Sequence, residues 1–166
     1  MTPLRRLGLG AAILVILLDQ LSKPLIRDWL AGGDVYVTPF FNLVSAWNKG
    51  VGFSLLTMTG AAGPYLLSGL ALVISAGLLV WLLRSHRPLP AVGLGLAIGG
   101  ALGNVIDRLV HGAVFDFLQL HADGYYWPAF NLADSALTVG VALLIIDGLF
   151  EGRGRSKSPA TPEGQN

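Results

Sequence analysis

Read for apolar and polar positions, the chain resolves into four apolar blocks. After Pro64, a residue suited to the first turn of a helix, positions 65–83 carry no charge and are long enough to cross a hydrocarbon core about 30 Å thick. Positions 89–106 form a second uncharged run, rich in glycine (Gly93, Gly95, Gly99, Gly100, Gly103), which in lipid signals close helix packing. The two outer blocks, 7–18 and 135–146, are too short to cross unless they carry polar residues into the membrane. Those residues are Asp19 and Lys23 in the first block and Asp134 or Asp147 in the last.

The pattern predicts an all-α membrane protein, a four-transmembrane-helix bundle with spans at about 7–27, 64–84, 90–110 and 132–150. Arg5 and Arg6 ahead of an apolar stretch imitate a secretory signal peptide. The following Asp19-Gln20-Leu21-Ser22-Lys23 lacks a small-x-small cleavage pattern, so the block is read as a retained span. Basic residues then set the orientation: Arg5 and Arg6, Arg84 and Arg87, and Arg153, Arg155 and Lys157 flank the spans on one side. Both termini are expected to be cytoplasmic, and the connections at 28–63 and 111–131 to lie outside. Residues 1–152 read as one membrane-embedded domain, and 153–166 as a disordered cytoplasmic tail. In the first outer connection, Val35-Tyr36-Val37-Thr38 and positions 41–47 are rich in β-branched and aromatic residues, with a turn offered at Asn48-Lys49-Gly50. A small extracytoplasmic β-sheet is expected there, and a second outer segment between spans three and four. That second segment ends in Tyr125-Tyr126-Trp127-Pro128, an amphipathic cluster suited to the head-group level.

Composition narrows the classes of function. Of 166 residues, 53% are hydrophobic and 13% charged, against about a quarter charged in an ordinary soluble globule. The net charge of +1 argues against nucleic-acid binding. With no cysteine there is no disulfide framework and no thiolate-bound metal, and the three histidines are scattered, so no metal or other cofactor is expected.

An ionisable group in hydrocarbon costs about 2.5–3.5 kcal/mol on insertion scales, so each one near a span needs a partner or a purpose. At 1.5 Å per helical residue, Asp19 and Lys23 fall roughly 18 and 24 Å along the first span, and Asn104 and Arg108 roughly 20 and 26 Å along the third. Asp134 opens the fourth span from the same side. Asp19 and Lys23 are four apart, as are Asn104 and Arg108 with Asp107 between them, so each set shares a helix face. Asn131, three before Asp134, suits a helix N-cap. If Lys23 pairs with Asp19 and Arg108 with Asp107, then Asp116 and Asp134 remain, each in apolar surroundings with no cation nearby in sequence. Two such carboxylates lying together would share a proton, one acting as base on a water and the other as acid, which is aspartic-protease chemistry. From the pattern alone, catalysis and mere helix-to-helix support both fit these residues.

Five segments, in order, resemble the motifs of the lipoprotein signal peptidases, the type II signal peptidases of bacteria. They are Asp19-Gln20-Leu21-Ser22-Lys23, Asn48-Lys49-Gly50-Val51-Gly52-Phe53-Ser54, Gly103-Asn104-Val105-Ile106-Asp107-Arg108, Val114-Phe115-Asp116-Phe117 and Phe130-Asn131-Leu132-Ala133-Asp134-Ser135. Gly52 departs from the alanine frequent in the family. The resemblance implies an intramembrane aspartic endopeptidase of the bacterial cytoplasmic (inner) membrane. Such an enzyme removes signal peptides from diacylglyceryl-modified prolipoproteins on the N-terminal side of the lipidated cysteine. It further implies Asp116 and Asp134 as the catalytic pair. Asn104, Arg108 and Asn131 would position the dyad or the substrate backbone, and Asp19, Lys23, Asn48 and Asp107 would give polar support. The expected partners are lipid-modified prolipoproteins and membrane lipid, with no nucleic acid; the protein is expected to be a monomer, with its active site near the outer leaflet.

Two other classes of membrane protein also carry polar residues in their spans. A proton-coupled transporter or channel subunit would place its carboxylates at the midplane and show an inverted repeat, and neither feature is present. A noncatalytic scaffold would use the polar residues only to hold helices together.

Overall fold

The computed structural model describes residues 1–50 and 62–155, with side chains as far as 150. The motif positions 51–54, and positions 156–166 of the tail expected at 153–166, lie outside the described residues.

Four helices are long and apolar enough to cross a membrane. The first, α1 (Pro3–Trp29), starts at Thr2, whose hydroxyl accepts the Arg5 amide hydrogen at 3.4 Å, and it runs through Pro24. Its buried positions are Gly8, Ala12, Val15, Asp19 and Lys23. They recur every three or four residues, so α1 presents one face that is small at its start and ionic at its end. Leu14, Leu17, Leu18, Leu21 and Leu25 on the remaining surface are exposed, as lipid-facing side chains would be.

The chain continues through a short 3-10 turn, Leu30–Gly32, into strands β1 (Val35–Thr38) and β2 (Phe41–Asn48), then α2 (Gly63–Arg84) and α3 (Pro88–His111). Strands β3 (Val114–Ala122) and β4 (Tyr125–Tyr126) precede α4 (Leu132–Arg155). The strands form one antiparallel sheet in the order β1-β2-β3-β4. The hairpin between β1 and β2 turns at Pro39-Phe40, whereas Asn48-Lys49-Gly50 ends β2: Gly50, at φ +93°, donates its amide to Asn48 Oδ1 at 2.8 Å. The expected strand pair is therefore present. The segment between α3 and α4 supplies β3 and β4 to the same sheet.

Helix α3 is central and packs against the other three helices. Its glycines make this possible. A Cβ at Gly103 would lie 2.8 Å from Asp19 Oδ2 and 3.2 Å from the Ala133 Cβ, and Gly140 of α4 meets the α3 backbone at Gly93 and Ala97 equally closely. Close approach of backbones through small residues is how helices associate where the solvent is as apolar as the side chains. An apolar cluster of Ala12, Leu82, Ala91, Leu94 and Ile98 fills one region of the bundle. A second, Leu30, Phe115 and Phe117 with Ile26 and Leu43 against it, joins the sheet to the end of α1. At the start of α3, Arg87 is ion-paired with Asp147 of α4. The polar cluster lies toward the other end of α3.

Candidate active site

Strand β3 and the start of α4 bring two carboxylates to one place. Asp116 is buried on β3, on the sheet face it shares with Asn48, and Asn48 Nδ2 donates to its Oδ2 at 3.1 Å. A short bridge holds the chain ahead of α4 against the same strand: Phe130 N donates to Leu118 O at 2.9 Å and Leu118 N to Phe130 O at 2.8 Å. This bridge places Asn131, fully buried, next to Asp116, with Asn131 Nδ2 donating to Asp116 Oδ1 at 2.7 Å.

Asn131 is also the N-cap of α4. Its Oδ1 accepts the Asp134 amide hydrogen at 3.0 Å, and Asp134 Oδ2 accepts from Asn131 N at 3.2 Å, the reciprocal arrangement of a capping box. The next free amide of that helix start, Ala133 N, donates to Asp19 Oδ1 at 3.0 Å. The remaining oxygen of the Asp134 carboxylate, Oδ1, accepts from Asn104 Nδ2 at 2.7 Å, and Asn104 Oδ1 in turn accepts from Asn131 Nδ2 at 3.1 Å. Asn131 thus touches both carboxylates, one through its side chain and the other through its backbone.

Behind this layer lies an ionic one. Lys23 Nζ is 2.7 Å from Asp19 Oδ2, 2.9 Å from Asp107 Oδ2 and 3.4 Å from Asn104 Oδ1, with all four residues buried. Asp107 Oδ2 also accepts the amide of Phe115 at 3.1 Å, one residue before Asp116. The expected Asp19–Lys23 pair is present. The expected Arg108–Asp107 pair is not, because neighbouring helical residues point about 100° apart and Asp107 faces α1. Lys23 serves Asp107 instead. Among the described residues Arg108 makes one hydrogen bond, Nη1 to Asn104 O at 3.5 Å, and its buried Nε has no partner. The charges of Asp134, Asp116 and Asp107 all act on its guanidinium.

The structure therefore gathers Asp19, Lys23, Asn48, Asn104, Asp107, Asp116, Asn131 and Asp134 into one hydrogen-bonded network, with Arg108 beside it. Sequence reasoning passed over Gln20, whose Nε2 lies 3.1 Å from Asp19 Oδ2, 3.0 Å from Asp107 Oδ1 and 3.2 Å from Gly103 O. Its position beside Asp19 was the available signal. Asp116, outside the membrane-spanning helices, has its carboxyl pushed up to about 6. Burial is the main cause and repulsion by Asp134 adds to it, while the hydrogen bonds from Asn48 and Asn131 and the charge of Lys23 oppose the shift. A buried carboxyl that exchanges its proton at about 6, tied through one asparagine to a second carboxylate, can give a proton while its neighbour takes one.

The chain is similar to known proteins over most of its length. The family profile described as signal peptidase (SPase) II matches residues 11–150. A lipoprotein signal peptidase of Paraburkholderia phymatum is 46% identical over 149 residues, covering 88% of this chain and 89% of that protein. One from Ralstonia nicotianae is 49% identical over 144 residues, covering 85% and 83%. A bacterial membrane enzyme solved by the in meso method at 2.3 Å superposes with a TM-score of 0.78 at 30% identity, covering 93% of this chain and 94% of its own.

Proposed function

The chain belongs to the signal peptidase II family, and from that premise we propose that it is an intramembrane aspartic endopeptidase acting on prolipoproteins. It removes the signal peptide from the diacylglyceryl-modified precursor on the N-terminal side of the lipidated cysteine. It works as a monomer in the bacterial inner membrane, with both termini cytoplasmic and its site near the outer leaflet. The observation that carries the catalytic assignment is the bridge through Asn131, which holds the buried Asp116 and the Asp134 carboxylate in one hydrogen-bonded unit.

In this reading the pair shares one proton, resting on Asp116, whose neutral form burial favours. Asp134, held by Asn104 Nδ2 and Asn131 N, takes a proton from a water as its oxygen attacks the scissile carbonyl carbon. Asp116 gives its proton to the carbonyl oxygen. Collapse of the tetrahedral intermediate then breaks the C–N bond, the proton gained by Asp134 passes to the leaving amine, and the intermediate's hydroxyl proton returns to Asp116. Asn104, Asn131 and Asn48 fix the carboxylates, Asp19, Lys23 and Asp107 hold the strand and the helix that carry them, and the unsatisfied Nε of Arg108 offers a donor to the substrate backbone.

The test uses the purified enzyme in vesicles with a lipid-modified precursor and the same precursor without lipid. Asp116→Asn and Asp134→Asn should each remain folded and inserted while cleaving at least about 10³-fold more slowly, the scale of a lost acid or base. Substantial turnover by either variant would sink the dyad. The unlipidated precursor should be cut poorly, since it forgoes acyl burial of about 0.8 kcal/mol per CH₂.

A further inference from the structure

Side chains alternate across a strand, so the residues beside Asp116 and Asn48 face the other way. Phe115 and its cross-strand partner Trp47 look toward α1, and there they help to wall a pocket of about 170 Å³ that does not include either carboxylate of the dyad. Gln20, Lys23, Asp107, Arg27 and His111 make up its polar lining. The pocket is far smaller than the roughly 300–1,000 Å³ typical of a site enclosing a whole organic ligand. It suits a compact group.

We propose that this pocket holds the phosphate of an anionic phospholipid head group between the Arg27 guanidinium and the His111 ring, against Trp47. The cations and anions of the lining are unevenly committed. Lys23 already serves Asp19, Asp107 and Asn104, and Asp107 is taken by Lys23, Gln20 and the Phe115 amide. Arg27 is half exposed, and its ion contact is the neighbouring Asp28 at 3.6 Å, itself 78% exposed, a pairing of the kind worth little in water. A guanidinium offers a phosphate two parallel N–H donors. His111, exposed at the end of α3, packs its ring against Trp47 in a T-shaped contact with centroids 5.5 Å apart, so the imidazole is held beside the indole at the pocket wall.

The surroundings point to the bilayer as the source. Along α1, Ile13, Leu17, Gln20, Pro24 and Arg27 follow one another at spacings of three and four, a single stripe leading into the pocket. Its first two members are exposed apolar side chains, Ile13 at 57% and Leu17 at 53%, on which an acyl chain can lie. Exposed Trp29 and Trp47 flank the polar end, as aromatic residues do at the head-group level. The site also touches the catalytic layer at one remove, because Asp107 in its wall holds the amide of Phe115. A bound head group would brace the strand that carries Asp116.

Binding is read without any cleavage step, so this site stands or falls separately from the protease assignment. The full chain, purified in detergent, is titrated with phosphatidylglycerol and, in a second arm, with glycerol phosphate, and the bound species are counted by native mass spectrometry. One phosphatidylglycerol should bind saturably. Arg27→Ala and His111→Ala, both at exposed positions, should each weaken it about tenfold, the scale of one charge-assisted hydrogen bond, and Arg84→Ala at the end of α2 should not. Equal retention by wild type and both variants would overturn the site. Glycerol phosphate displacing the lipid at equal concentration would overturn the membrane as the source and leave a soluble phosphate in its place.

Discussion

At the scale of single residues, Asn131 does two jobs that sequence reasoning set against each other. It is the helix cap that the Asn-x-x-Asp spacing suggested, and it is also the link between two carboxylates. Asp116 and Asp134 were legible as the acids left over once cations had been assigned. The assignment itself was half right, since Lys23 and not Arg108 serves Asp107, and only the facing of α3 toward α1 decides between them. The raised value of Asp116 gives a pH prediction. If its proton is the one donated, kcat should fall as pH rises through about 6, where that proton is lost. The Asn48 hydrogen bond lowers the value, so Asn48→Ala should move the falling limb to higher pH, and a limb unmoved in this variant would assign it to another group. Stability follows the same sign. Because the carboxyl is harder to ionise in the folded chain, its ionisation weakens the fold between about 4 and about 6. Asp116→Asn should therefore melt above wild type beyond pH 6 and coincide with it below pH 4, as thermal unfolding in detergent would show.

At the scale of elements, the four helices were legible because lipid demands long uninterrupted apolar runs, and the glycine-rich run correctly announced close packing in α3. Strand β3 was not legible. Its first four positions, Val114, Phe115, Asp116 and Phe117, are all buried, so the two-residue alternation that betrays a half-exposed strand is erased where it matters. A charged residue in the middle of that run further disguised it. Its pairing with β2, sixty and more residues away in sequence, is what brings Asn48 to Asp116. The glycine packing makes its own prediction. Gly103→Ala would press a methyl into the Asp19 carboxylate, which holds both Lys23 and the amide of Ala133. Overpacking of that kind costs about 1–3 kcal/mol and should also slow cleavage by shifting the start of α4. Gly69→Ala, with open space around it, should stay within about 0.5 kcal/mol of wild type. Equal effects of the two substitutions on unfolding in mixed micelles would deny that the α1–α3–α4 contact is tight.

For the whole molecule, the scarcity of charge is organised. Among the described side chains, Arg5, Arg6, Arg84 and Arg87 stand at one end of the helix bundle, and the acidic residues Asp19, Asp107, Asp116 and Asp134 gather toward the other. The network built from those acids lies toward the sheet end of the bundle, whereas the Arg87–Asp147 pair stands where α3 begins. If basic loops stay in the cytoplasm, the sheet and the dyad face outward, toward the leaflet in which a diacylglyceryl-anchored substrate would be held. The cysteine-free sequence makes this orientation testable, because one introduced thiol is the only one in the chain. Lys49, at the end of β2, and His86, between α2 and α3, are both exposed. Lys49→Cys should react with a membrane-impermeant maleimide added to spheroplasts, and His86→Cys only after the membrane is opened. The reverse labelling would turn the molecule over and put the dyad on the wrong face for a precursor that has already been translocated.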